Sequence, residues 1–397
     1  MQRNKQKTSS NKMIHFPKGL AKQQFLDEYW QKKPLLFNKA MENSAQLISE
    51  QSLFDLSLDD EVESRLLIED GPDEPWQLYH GPQDKNQLDD LKECSNWTLL
   101  VQSVNLWHSG CAKLLADFAF IPQWRLDDIM ISYSTQGGSV GPHVDHYDVF
   151  LIQLSGTRRW CVGEPDAKVE LLDSDSSSQH IKPYPITMDE QLSPGDMLYL
   201  PPNTAHHGIT IEPGMTLSVG FRSPALSEMM MIFAEQMIID NKESYYQDPP
   251  FVDGSSSTEI SAAAMTKAVN WFSNLTDYDS LQRKAFGILQ TQPKQGLILD
   301  PVELDITELV QSNIILERDP CARVAWYQAN ETEIWLFVNG EHFNRPESEK
   351  DLINFFSTAP RLTSKQLTSK QLSSGLSDNK FLILLEIFVE TGFFGLK

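Results

Sequence analysis

The sequence predicts an α+β chain organised around an antiparallel β-barrel or sandwich, with helical and small α/β parts after it. Three observations predict this. Residues 126–222 hold short β-rich runs separated by turn signals. After Ser223-Pro224 the apolar residues recur at helical spacing. Near the C-terminus, Asn339-Gly340 follows the run Trp335-Leu336-Phe337, a two-residue hairpin signal. At 397 residues the chain is too long for one ordinary core, so two or three domains are expected.

In chain order, residues 1–12 are polar and basic without an apolar core. They do not read as a signal peptide and are expected to be disordered. Residues 14–125 mix short helices with loops. Phe25, Tyr29, Trp30 and Pro34 mark a helix whose apolar face ends before Lys32-Lys33-Pro34. The barrel runs are Ile129 to Tyr133, Val149 to Leu154, Arg159 to Val162, Met197 to Leu200 and Thr216 to Phe221. Gly137-Gly138, Ser155-Gly156, Pro194-Gly195-Asp196 and Pro213-Gly214 separate them. Asp173 to Ser178 is polar and reads as a surface insertion. Ser227 to Asp240, rich in Met, and Ser261 to Leu275 read as helices that pack on each other or on a second subunit. Residues 301–397 form a further small α/β unit. Within it, Leu362 to Gln366 (LTSKQ) recurs as Leu367 to Gln371, a local duplication rather than a repeat architecture. Phe381 to Phe394 is apolar but interrupted by Glu386 and Glu390, and too short to span a bilayer, so it reads as a buried helix.

Hydrophobic residues at 40% and charged residues at 22% fit a soluble globular protein. The formal net charge of -22 argues against a nucleic-acid surface and favours neutral or basic partners, a basic protein among them. The plain alternative is that the acidity serves solubility. Residues 311–397 carry 9 Lys/Arg against 11 Asp/Glu with no basic stripe, which counts against a DNA-binding regulator. Cys94, Cys111, Cys161 and Cys321 form no CxxC pair, so neither a zinc knuckle nor a disulfide scaffold is indicated; reduced thiols in a cytoplasm are the simplest account.

The chemistry lies in the barrel. Gly141-Pro142-His143-Val144-Asp145 places an imidazole and a carboxylate two residues apart, on one face of a strand. Alone, such a pair is commonly a solvated surface pair. Downstream, Pro194-Gly195-Asp196-Met197-Leu198-Tyr199-Leu200-Pro201-Pro202 and then His206-His207-Gly208 read as turn, strand, stiffened bend and histidine. If the two strands are neighbours, a histidine from this segment completes a 2-His-1-carboxylate face with open metal positions. Zinc with water is the inorganic alternative. Arg158, in Gly156-Thr157-Arg158-Arg159-Trp160, begins the strand after the His-x-Asp strand. Facing inward it needs an anion, whereas an exposed hairpin charge needs none; by alternation at least one of Arg158 and Arg159 faces outward.

Taken together, GPHVDHYDVFLIQLSGTRRW, PGDMLYLPPNTAHHG and SVGFRSP resemble the JmjC-type ribosomal oxygenases of bacteria. The resemblance is close over residues 126–224 and reaches WTLLVQSVNLWH and, more loosely, YWQKKPLLF upstream. It implies a double-stranded β-helix (jelly-roll or cupin) catalytic domain over residues 13–224, with the barrel core at 126–224. It further implies a helical dimerisation region over 225–300 and a winged-helix-like domain over 301–397. The resemblance makes His143, Asp145 and His206 iron(II) ligands, with His207 the off-face neighbour. It gives Arg158 the distal carboxylate of 2-oxoglutarate, with Ser134 assisting. Asp128, Met130, Tyr147 and Ser218 would line the substrate pocket, a group that suits an arginine. The implied activity uses dioxygen to hydroxylate Cβ of an arginine in a large-subunit ribosomal protein. A ribosomal histidine, or a non-catalytic cupin-like binding role, are the alternatives. A cytoplasmic homodimer without nucleic-acid or membrane contacts is expected. Asn203-Thr204-Ala205 and His207 depart from the family pattern, and leave the shape of the pocket rim open.

Overall fold

A computed structural model of the chain describes residues 12–17, 19–69, 76–172, 180–242, 244–250, 260–274, 278–294, 315–374 and 378–396. All but the last residue of the disordered terminus expected over residues 1–12 lies outside them, as do the insertion expected at Asp173 to Ser178 and the domain boundary expected near residue 300. The chain divides into two compact units, Met1–Ser223 and Pro224–Lys397.

The first unit begins with α1 (Lys22–Glu28), β1 (Leu35–Phe37), α2 (Glu50–Ser57), β2 (Ser64–Ile68), β3 (Gln77–His80), α3 (Lys85–Asp90), β4 (Trp97–Val101), α4 (Val104–Trp107) and α5 (Ser109–Leu114). Then follow β5 (Leu126–Ser134), β6 (His143–Asp145), β7 (Val149–Gln153), β8 (Thr157–Pro165), β9 (Met188–Leu192), β10 (Met197–Leu200), β11 (Thr204–Glu212) and β12 (Gly214–Phe221). They form an eight-stranded sheet, β1-β10-β7-β12-β5-β4-β2-β3, and a four-stranded sheet, β6-β11-β8-β9, with every pairing antiparallel. The five expected barrel strands are present. The region before residue 126, expected as helices and loops, also supplies β1 to β4, which extend the large sheet.

The burial of β7 and β10 explains why they read as unbroken apolar runs. Val149 and Leu151 of β7 join Leu198 and Leu200 of β10 against Trp160, Val162 and Leu192 of the small sheet. The alternate residues, Phe150, Ile152, Met197 and Tyr199, point to the opposite face and join the N-terminal segment. There Phe25 of α1 meets Tyr199 edge-on with ring centroids 5.0 Å apart, and Phe118 lies 5.0 Å from Phe150. β7 and β10 are therefore buried on both sides, and strands buried on both sides lose the polar half of the usual alternation. Truncating the fully buried Phe25 to Ala should cost about 3–5 kcal/mol.

The inner face of β5 and β12 is the exception. Ser132, Ser134, Thr216 and Ser218 are buried there, across from the small sheet, while Ile129, Ile131, Leu217 and Val219 serve the outer core. A polar patch inside an apolar sandwich must be hydrogen-bonded or serve a ligand.

The second unit contains α6 (Leu226–Ile239), α7 (Ala262–Ser273), α8 (Asp279–Thr291), β13 (Ile315–Arg318), β14 (Val324–Gln328), β15 (Glu333–Val338), β16 (Glu341–Pro346), α9 (Lys350–Thr358), β17 (Arg361–Thr363), α10 (Ser364–Ser374), α11 (Asp378–Glu390) and β18 (Phe394–Leu396). The strands form two sheets, β14-β15-β16 and β17-β13-β18. Val338 faces Glu341 across Asn339-Gly340, whose φ values of 48° and 86° make the tight turn that the sequence predicts. The two LTSKQ copies adopt different structures. The first crosses from β17 into α10, and the second lies within α10. Leu362 and Leu367, the leading residues of the two copies, are nonetheless both buried.

Candidate metal centre

The short strand β6 pairs with β11 so that His143 stands opposite His206 and Asp145 opposite Thr204. His206 therefore lies on β11, past the bend that follows β10, and β11 is the neighbour of β6. The two imidazole centroids are 4.2 Å apart. Nε2 of His143 is 3.8 Å from Oδ2 of Asp145, and Nε2 of His206 is 3.5 Å from the same oxygen. One ligand atom from each of the three residues lies within 4.8 Å of the other two. Among the described residues, this is the cluster of His, Cys, Asp and Glu with that property.

The tautomers follow from the neighbours. Nδ1 of His143 is 2.9 Å from the Gly141 carbonyl, and Nδ1 of His206 is 2.8 Å from the Thr204 carbonyl. A carbonyl only accepts, so both Nδ1 atoms carry the proton and both Nε2 lone pairs remain for a cation. Burial, with His143 next, pushes the ionisation of His206 down to about 4, which keeps it neutral. Neutral imidazoles held by a second hydrogen bond are what divalent metals bind.

Arg158 is 3% exposed. Nη1 reaches Ser134 Oγ at 3.3 Å and Ser132 Oγ at 3.5 Å, and Nη2 donates to the Gly208 carbonyl at 3.2 Å. Nε is buried without a hydrogen-bond partner, as are Trp160 Nε1 and Thr210 Oγ1. Burial pulls the guanidinium down to about 10, leaving it charged at neutral pH. A buried charge left uncompensated costs about 3–5 kcal/mol. A carboxylate in this space would remove that cost. Gly208 keeps the space open, since a Cβ there would lie 2.6 Å from Arg158 Nε and 2.8 Å from the Trp160 ring. Arg159 faces outward and pairs with Asp189.

The residues expected around the substrate are distributed unevenly. Met130 and Ser218 face each other across β5 and β12. Oδ2 of Asp128 accepts from the Ser103 N–H at 3.0 Å and the Ser103 hydroxyl at 2.9 Å. Tyr147 is 41% exposed. His207 does not join the three-residue cluster; its Nε2 is 3.0 Å from Ser139 Oγ. Sequence reasoning missed Ser132, Trp160, Gly208 and Thr210. Counting by twos from Ser134, Arg158 and His206 reaches all four.

The double-sheet barrel and this cluster define a class, the JmjC oxygenases. A family model described as a JmjC domain matches residues 113–229. The chain is 32% identical over 372 residues to "Ribosomal protein uL16 3-hydroxylase" of Escherichia coli K12, covering 93% of this chain and 96% of the relative. It is 37% identical over 215 residues to "Probable ribosomal oxygenase" of Haemophilus influenzae, covering 54% and 52%. The crystal structure of the E. coli ribosomal oxygenase YcfD superposes with a TM-score of 0.75 at 32% identity, covering 95% of this chain and 98% of that one. A second structure of YcfD, in complex with cobalt and 2-oxoglutarate, superposes with a TM-score of 0.75, covering 96% and 99%. The chain belongs to the JmjC ribosomal oxygenase family, and it is an enzyme.

Proposed function

We propose that this protein is an iron(II)- and 2-oxoglutarate-dependent oxygenase that hydroxylates an arginine side chain, at Cβ, in a large-subunit ribosomal protein. The observation that carries the reading is one inner surface holding both a three-ligand cluster and a buried guanidinium with an orphaned N–H. The relative named for uL16 3-hydroxylation and the solved complex with cobalt and 2-oxoglutarate support the co-substrate and the ribosomal target.

His143, Asp145 and His206 would hold the metal on one face. Arg158, with Ser134 and Ser132 beside it, would orient the distal carboxylate of 2-oxoglutarate. When bound, the metal and 2-oxoglutarate supply the oxidant that inserts one oxygen atom of dioxygen into a substrate C–H bond. The chain's own work is placement. The apolar wall of Val149, Leu151, Leu198 and Leu200 keeps water from the interior. Ser103 fixes the Asp128 carboxylate, which would meet a guanidinium, and Tyr147 would offer a stacking face. Met130 and Ser218 would line the floor. A permanent cation suits Asp128 better than a mostly neutral imidazole, which favours arginine over histidine. The net charge of -22 fits a basic protein partner rather than nucleic acid. Among the described residues no helix is long and apolar enough to cross a membrane. A ribosomal target would place the enzyme in the cytoplasm.

The test is mass spectrometry of an arginine-containing fragment of the ribosomal protein, incubated with enzyme, iron(II), 2-oxoglutarate and air. One added oxygen on arginine, absent with His143→Ala, is the expected result. Oxygen on histidine would move the specificity. Succinate without a modified peptide would discard this substrate. Neither product from iron-loaded protein would leave a binding protein.

A further inference from the structure

Two histidines outside the ligand cluster grip the turn that precedes it. The turn runs from Gly137 to Pro142 and ends at His143. His207 reaches it from β11, with Nε2 3.0 Å from the hydroxyl of Ser139, which is only 4% exposed. The same hydroxyl accepts the Gly141 N–H at 3.0 Å. The Gly141 carbonyl in turn accepts Nδ1–H of His143 at 2.9 Å. A continuous chain of three hydrogen bonds thus runs from the His207 ring to the His143 ring.

The second grip comes from the β8–β9 connection. Nε2 of His180 lies 2.9 Å from the Val140 carbonyl, and the Ile181 N–H donates to the Pro142 carbonyl at 3.0 Å. The His180 ring occupies the niche that Gly141 leaves open. Gly141 has φ +79°, and a Cβ there would lie 2.5 Å from His180 Nε2. Trp76 packs edge-on against that ring at 4.9 Å. A β6 of three residues cannot fix its own geometry with so few ladder bonds. The turn must supply the rest.

We propose that His207, through Ser139, is a positioning residue that fixes the Gly141 carbonyl and through it the ring plane of His143, with His180 as the opposing clamp. The proposal rests on the reading of His143, Asp145 and His206 as metal ligands. It assigns a task to the one histidine of the His206-His207 pair that the cluster leaves out. Partners that orient a ligand without touching the metal carry affinity, and removing one weakens binding on the order of 10–100-fold.

The test is cobalt(II) titration of the metal-free full chain, followed by the visible absorption of the bound ion, with thermal unfolding of the metal-free protein alongside. Ser139→Ala and His207→Leu are each expected to weaken cobalt binding about 10-fold. Because both break the same chain, the double variant should be little worse than either alone. His207→Gln, which returns a polar atom near the position of Nε2, should recover most of the affinity. His180→Phe keeps a ring in the niche, removes the donor, and should shift the cobalt spectrum. Wild-type affinity in Ser139→Ala would overturn the proposal. So would affinity losses that simply follow a lower unfolding temperature, or independent losses that add in the double variant. His143→Ala is the control for the underlying site. If it binds cobalt as tightly as the parent chain, the metal reading fails; if it alone loses cobalt, only the positioning role fails.

Discussion

Arg158 is held by two hydroxyls and a carbonyl, none of which carries a full negative charge. Its Nε–H has no hydrogen-bond partner, the guanidinium lies over the Trp160 ring at 5.0 Å, and Gly208 holds the space beside it open. Evolution tolerates such a group where a ligand completes it. Arg158→Ala should therefore raise the 2-oxoglutarate concentration needed for half-maximal succinate formation on the order of 100-fold, since a charged hydrogen bond contributes about 1.5–3 kcal/mol. Cobalt affinity in the absence of 2-oxoglutarate should stay that of the parent. Arg158→Lys should fall between, because an ammonium replaces a planar fork by a point charge. An unchanged requirement in Arg158→Ala would move the role to another residue. At this scale the sequence was legible where chemistry and spacing coincide. His143 and Asp145 stand two apart, and of Arg158 and Arg159 only one can face inward. It was not legible for Trp160 and Thr210, whose residue types announce core and filler and whose meaning lies in unpaired polar atoms that only the packed structure reveals.

The elements were legible in proportion to their burial. β7 and β10 are apolar throughout because both faces are covered, and turn residues bracket them. β11 was hidden, because Thr204–Glu212 mixes histidine, glycine, threonine and glutamate, with an interior face built for chemistry. β3 was hidden for the opposite reason: all four of its residues are exposed, so no apolar period marks it. In the second unit β16 carries a group whose ionisation can be read in stability. His342 lies against the rings of Trp335 and Phe337, at 5.5 and 5.2 Å, and its Nε2 is buried without a hydrogen-bond partner. Burial, then the Lys284 ammonium of α8, push it down to about 4, with the Asp240 carboxylate opposing. Its folded value lies below the ordinary 6.5, so the unfolded chain takes up the proton first as pH falls. The contribution is fully present above about pH 6.5 and is lost as pH falls towards about 4. Thermal melts across that window should show a smaller acid-side decline for His342→Phe than for the parent chain. Equal declines would show that His342 has no part in it.

At the scale of the whole molecule, the exposed helices of the second unit bear on assembly. In the second unit, α6 turns Ile232 and Phe233 onto α8. Much of its other apolar surface is left to solvent: Leu226 is 74% exposed, Met231 66%, Ile238 61% and Ile239 59%. No residue of α7 is buried, and it presents Val269 and Phe272, 63% and 58% exposed. Surfaces of that character on a monomer mark an interaction site. A chain with a net charge of -22 does not hide apolar helices by chance collapse against its own copies, because like charges repel. A symmetric helix face that buries these side chains pairwise would overcome that repulsion, and a twofold homodimer is the simplest closed form. We propose that residues 225–275 carry that interface. Light scattering should give twice the chain mass at micromolar concentration. The dimer should weaken at low ionic strength, where repulsion is least screened. Ile238→Glu combined with Phe272→Glu should yield a monomer that still binds cobalt, since the candidate ligands all lie in the first unit. A monomeric parent chain, or a dimer unmoved by both substitutions, would place the interface elsewhere and leave these helices for another partner.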